Sequence, residues 1–133
     1  MTTVSTHLMF QEGKAQAALD LYASVFSGFK VVSVEKYGTN DGTPGLVKIA
    51  EVDFSGQQLV VIDSPIRHEF DFTPSVSLFV NFDGAVDLDR AFEELVVGGE
   101  VKMPLDDYGF SQRFGWLTDR FGMSWQLNLP KTK

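Results

Sequence analysis

Few side chains in this sequence can make or break bonds. There are two histidines and no cysteine. The missing thiols exclude a disulfide framework, a thiolate nucleophile and a thiolate metal site together. A site of three imidazoles is excluded as well. No serine stands in a G-x-S-x-G context, so a Ser–His–acid triad would have to be assembled around His7 or His68 alone. The lysines are mostly terminal or in turns. Asp106 and Asp107 could pair as acid and base, but neighbouring residues in a turn diverge, and solvated turn chemistry is the expected role. His68 sits beside Arg67 and Glu69 in a proline-flanked stretch and reads as solvated. The glycines fall at turns and helix ends with no G-x-G-x-x-G after a strand, so no phosphate cradle is written here. His7 reads equally as a base or ligand and as a neutral histidine satisfied by a neighbour. No complete catalytic constellation emerges. The residues left for a site are binding residues: His7, Met9, Ser75, Ser77, Phe79, Arg113, Trp116 and Gln126.

The elements that must position them follow from periodicity and turn residues. Val4–Phe10 predicts a strand, and Ala15–Phe26 a helix with an apolar stripe stopped near Gly28. Phe29–Tyr37 is β-rich, residues 38–45 are a dense turn cluster, and Leu46–Phe54 with Gln58–Asp63 predict a hairpin. After a linker at 65–74, bounded by Pro65 and Pro74, the order recurs. Ser75–Phe82 is a strand and Val86–Val97 a helix ended by Gly98-Gly99, with Asp87, Asp89, Glu93 and Glu94 on a solvated face. Glu100–Leu105, Phe114–Asp119 and Met123–Leu129 are strands. Each half therefore reads β-α-β-β-β, in modules of about 1–64 and 75–133. Asp53-Phe54-Ser55-Gly56 and Asp119-Arg120-Phe121-Gly122 share D-x-x-G at an offset of 66 residues. Two such modules, neither able to bury its own sheet, would complete one domain.

Alternation assigns faces. Val76, Leu78, Val80 and Phe82 oppose Ser75, Ser77, Phe79 and Asn81. Trp125, Leu127 and Leu129 oppose Ser124, Gln126 and Asn128. Leu8 and Phe10 oppose Ser5, His7 and Met9. Three strands thus offer a polar-studded face to something that is not helix. Met9, Phe79 and Trp116 fall on those faces, and aromatic groups are costly to leave exposed together. A concave pocket with an aromatic floor is the expectation. Arg113 is placed near its rim, where it could meet an anionic ligand. Trp125 is assigned to the core by parity.

Composition bounds the partners. The chain has 133 residues, 44% of them hydrophobic, and 12 phenylalanines. Eleven Lys and Arg against 18 Asp and Glu give a formal charge of −7, which argues against nucleic acid and against an anionic membrane surface. No run reaches the roughly 18 apolar residues of a membrane span, and the first residues show no secretory signal. A cytoplasmic location is the expectation.

The β-α-β-β-β repeat, opening His7-Leu8-Met9-Phe10 and followed by a helix carrying Leu21-Tyr22, resembles the vicinal oxygen chelate superfamily. This is the fold of glyoxalases, extradiol dioxygenases and bleomycin-resistance proteins. Pro104-Leu105-Asp106-Asp107-Tyr108-Gly109-Phe110, Phe114–Asp119 and Phe121–Leu127 are similar to its PhnB-like branch, labelled 3-demethylubiquinone-9 3-methyltransferase. The resemblance implies an α+β fold of two βαβββ modules forming a curved mixed sheet around a cavity, and a homodimer that shares or swaps modules. It also implies four metal-ligand slots, occupied here by His7, Val60, Ser75 and Gln126. Valine cannot bind a metal and a neutral serine is a poor ligand, whereas a catalytic divalent cation wants about three good protein ligands. The expected cofactor is therefore none. The rival reading is a divalent-metal enzyme of the lyase, transferase or dioxygenase type, completed by His7, Gln126, water and substrate. The methyltransferase label finds no S-adenosylmethionine cradle in the residues. The expected function is binding or sequestering a small apolar or aromatic compound, with enzymatic activity left open. A third alternative is an interaction domain whose pocket is closed by its own aromatics.

Overall fold

Ala15, Ala18, Leu19, Tyr22 and Val25 recur at helical spacing and are the buried residues of the first helix, α1 (Ala15–Val25). No side chain of its own first turn caps it. Asp63, far along the chain, does so: its Oδ1 accepts the Ala15 N–H at 2.9 Å and its Oδ2 accepts the Val47 N–H at 2.9 Å. A buried carboxylate at a helix N-terminus meets both the orphan amide and the positive end of the helix dipole.

The computed structural model describes residues 1–132 and divides after Glu69 into two units, Met1–Glu69 and Phe70 onward. In the first unit, β1 (Thr6–Phe10), β2 (Phe29–Lys36), β3 (Val47–Phe54) and β4 (Gln57–Asp63) form a sheet in the order β1-β4-β3-β2. β1 runs parallel to β4 and the other pairs are antiparallel. Leu8, Phe10, Ala50, Val52, Leu59 and Val61 are buried on the face that carries α1. Tyr22, Phe29 and Phe54 extend that core with ring centroids 5.6 and 5.2 Å apart.

The second unit repeats the order with β5 (Ser77–Asn81), α2 (Ala85–Leu95), β6 (Glu100–Asp106), β7 (Arg113–Thr118) and β8 (Ser124–Leu129). Its sheet runs β5-β8-β7-β6, with β5 parallel to β8. Leu88, Ala91, Phe92 and Leu95 of α2 are buried together with Leu117, Trp125 and Leu127 of the sheet. Gly115 makes this packing close: a Cβ there would lie 2.6 Å from Phe92 and 2.8 Å from Leu105. The molecule is thus α+β, two βαβββ units with one four-stranded mixed sheet in each, as the sequence led one to expect.

The shared D-x-x-G is turn chemistry. Ser55 and Gly56 both have positive φ, 49° and 94°, and join β3 to β4 in a two-residue turn of the I′ kind. Asp53 Oδ1 accepts the Gly56 N–H at 2.8 Å. In the second unit Asp119 Oδ1 accepts from Phe121 N and Met123 N, at 2.8 and 3.1 Å. Its Oδ2 accepts Trp125 Nε1–H at 2.9 Å, giving the buried indole its polar partner.

Candidate functional site

Strand register fixes which side chains share a face, because paired residues point the same way. In the second unit the row Ser77–Ser124–Thr118 lies on the side of the sheet away from α2. The next rows on that open side are Phe79–Gln126–Trp116 and Asn81–Asn128–Phe114. Ser77, Phe79, Trp116 and Gln126 are therefore brought together on one surface.

A hydrogen-bond chain runs through them. Ser124 Oγ accepts Trp116 Nε1–H at 2.8 Å and donates to the Pro74 carbonyl at 3.4 Å. Ser124 Oγ and Ser77 Oγ share a hydrogen bond of 2.6 Å. Ser77 Oγ in turn accepts Gln126 Nε2–H at 3.2 Å. With its Nε2 committed to Ser77, Gln126 keeps its carboxamide oxygen as an acceptor.

Aromatic rings flank the polar rows. Phe79 on β5 and Phe114 on β7 approach to 6.2 Å between centroids, although β8 lies between their strands. Two strand spacings amount to about 9.6 Å, so the rings lean toward each other over β8. Phe110, from the β6–β7 loop, packs edge-on against Phe114 at 5.0 Å and lies 6.3 Å from Tyr108 in a stacked arrangement. Phe114 is buried, while Phe79 and Phe110 are 53% and 59% exposed. The β6–β7 loop owes its shape to Asp107, whose Oδ1 accepts the Gly109 N–H, and to Tyr108, whose hydroxyl donates to the Pro104 carbonyl.

Two other expected residues lie elsewhere in this unit. Ser75 precedes β5 and does not belong to the strand. Thr73 captures it, accepting the Ser75 N–H at 3.3 Å and sharing a 2.9 Å bond between the two hydroxyls. Arg113 is paired with Leu129 on the α2 side of the sheet, and its Nε donates to Asp89 Oδ1 at 2.6 Å. It does not join the Trp116–Gln126 surface.

In the first unit the open side carries His7 and Met9. His7 is exposed and Met9 half-buried. His7 pairs with Val60, and Glu51 stands in the same row on the other side of Val60. Glu51 is missed when the sequence is read for histidines, although alternation against the buried Ala50 and Val52 points to it. A cavity of about 280 Å3 in this unit is lined by Glu12, Gly13, Leu46, Ser64, Pro65, Ile66 and Arg67, none of them an expected site residue. At its rim Arg67 hydrogen-bonds Glu12. That bond, the Arg67 charge and then Lys14 hold the Glu12 carboxyl below its ordinary 4.5.

Register also corrects the ligand slots. Val60 and Gln126 are equivalent, each four residues after its turn glycine. The partner of Val60 across the parallel pair is His7, and the partner of Gln126 is Phe79. The third slot thus holds Phe79, where Ser75 was expected. A histidine, a valine, a phenylalanine and an amide do not fit a catalytic divalent cation. Among the described residues no group of three or more His, Asp or Glu is arranged to hold one. Gly98-Gly99, the one glycine pair, follows α2, and a Cβ at Gly99 would strike the Thr118 carbonyl. That explains the glycine by packing, and the S-adenosylmethionine implied by the branch label finds no cradle there.

Paired βαβββ units with sheets of this strand order define the vicinal oxygen chelate superfamily. A family model described as 3-demethylubiquinone-9 3-methyltransferase matches residues 2–128, and the chain belongs to that PhnB-like family. The PhnB protein of Bacillus cereus, which carries the same description, is 41% identical over 96% of this chain and 99% of its own, with a TM-score of 0.90. A glyoxylase/bleomycin resistance protein/dioxygenase domain from Frankia shares the fold at 15% identity, covering 98% of this chain and 99% of its own, with a TM-score of 0.66. So does the fosfomycin resistance protein FosX of Listeria monocytogenes, whose structure was determined with Mn(II) and a dihydroxypropylphosphonic acid. It is 13% identical over 98% of this chain and 94% of its own, with a TM-score of 0.63. Comparison with curated proteins yields no match.

Proposed function

We propose that this protein binds a small, flat, apolar or aromatic molecule on the open side of the β5–β8 sheet, with no metal taking part. The observation that carries this reading is the pair of half-exposed rings, Phe79 and Phe110, set around a buried Phe114 and beside the Trp116–Ser124–Ser77–Gln126 chain. Large apolar groups gathered on one exposed patch mark a binding surface more often than chance exposure does. The polar chain beside them fixes orientation, and the Gln126 carboxamide oxygen asks for a donor. His7 and Met9 line the open side of the first unit's own sheet, and the working protein in this proposal is an assembly of two chains. That assembly is a homodimer in this proposal, located in the cytoplasm. Among the described residues no helix is long and apolar enough to cross a membrane.

The rival is metal-dependent catalysis through His7 and Gln126. Thermal unfolding with and without Ni, Zn, Mn and Mg, for the wild type and His7→Ala, separates the two readings, since a ligand of the folded state raises the melting temperature. The expected result is no shift with any metal and a rise with aromatic compounds. A metal-induced rise of several degrees that vanishes in His7→Ala would overturn the metal-free reading.

A further inference from the structure

One polar atom on the open side has no partner at all. Asn128 is 8% exposed, and its Nδ2 donates to Asn81 Oδ1 at 2.9 Å. Its own Oδ1 is buried and accepts no hydrogen bond. Buried acceptors are satisfied in the great majority of cases, and an orphan costs stability. Asn128 lies on β8 in the row of Phe114, two residues from Gln126 and therefore on the same side. The leaning rings of Phe79 and Phe114 close over this part of β8. Phe79 is more than half exposed, so its ring has room to turn aside, while Phe114 is held by Phe110 and Tyr108.

We infer that Asn128 Oδ1 is a hydrogen-bond acceptor subsite for the ligand. The ligand class it selects is a planar molecule, neutral or cationic, that carries an N–H or O–H donor at the edge of its ring. The Gln126 oxygen, one side-chain repeat along the strand, is the second acceptor. Two acceptors spaced by about 6.6 Å disfavour an anionic ligand, whose own oxygens would have to face them. The only arginine placed near this surface by the sequence is engaged with Asp89 on the opposite side, and the chain's charge of −7 points the same way. This inference rests on the proposed binding surface and adds the polarity of what binds there.

Indole and 1-methylindole are matched probes, because they differ in whether the ring edge carries N–H. Titrations of the full-length 15N-labelled protein with each, followed by amide shifts, give two dissociation constants. Indole is expected to bind the wild type about five-fold more tightly, as befits one neutral hydrogen bond. In Asn128→Leu, which keeps the side-chain bulk and removes the acceptor, the ratio should fall to about one. Its melting temperature should equal or exceed that of the wild type, since an unsatisfied acceptor has gone. Asn128→Ala gives the same ratio test should the leucine variant fail to fold. Equal wild-type affinities would overturn the inference and leave the binding surface standing. A ratio that survives both substitutions would also overturn it, placing the donor elsewhere. Absence of any shift on the open side with either probe would overturn the surface and the inference together.

Discussion

At the scale of single residues, the two D-x-x-G aspartates look alike in sequence and do unequal work. Asp53 is half-buried and closes one turn bond. Asp119 is buried and holds two backbone amides and the Trp125 indole. Asp119→Ala would leave those donors unpaired in the interior, and a loss of about 2–4 kcal/mol is expected. Asp53→Ala should cost about 0.5–1 kcal/mol, because water replaces the missing acceptor. Urea denaturation of the two variants reads the difference, and equal losses would contradict the assignment. Much of the residue-level picture was legible in the chain. The polar parity of Ser77, Gln126 and Asn128, the turn role of Asp107 and the burial of Trp125 all follow from alternation and turn chemistry, while Asp106 ends β6. Ser75 was misplaced because alternation was carried past the strand's end, into a turn closed by the Thr73 side chain. Arg113 was misplaced because a cation suggests a rim, while its parity with Leu129 put it beside Asp89 on α2. The orphan acceptor of Asn128 was not legible, since it depends on which amide atom meets Asn81.

At the scale of elements, both helices were readable from apolar spacing, and the ends of β1 and β5 shortened because residues before them make no ladder bonds. The caps were less visible. α1 borrows Asp63 from 48 residues away, a long-range contact that no local motif announces. The fit of α2 to its sheet depends on Gly115, the strand residue under Phe92. Gly115→Ala inserts a methyl group into contact closer than van der Waals distance, so the helix must shift or Phe92 must leave its rotamer. A loss of about 1–3 kcal/mol is expected by chemical denaturation, without any change in the aromatic cluster across the sheet. A variant as stable as the wild type would mean that α2 packs more loosely than described.

At the scale of the whole molecule, each unit exposes several large apolar side chains. Val31, Val32, Val34 and Ile49 are exposed on the first, and Val76, Phe79, Val101 and Phe110 on the second. A second copy covering part of these surfaces is the proposed state, so elution at the volume of a dimer is expected at micromolar concentration, and a monomer volume would refute it. The family places the chain among proteins of varied chemistry on one scaffold, and fold alone does not choose among them. The proposed function rests on the open side of the β5–β8 sheet. Its most direct test is a map of amide shift changes when a small aromatic compound such as indole is titrated into the full-length protein. The changes should cluster at Ser77–Asn81, Phe114–Trp116 and Ser124–Asn128. Changes confined to the Glu12–Arg67 cavity, or none at any residue, would contradict the account.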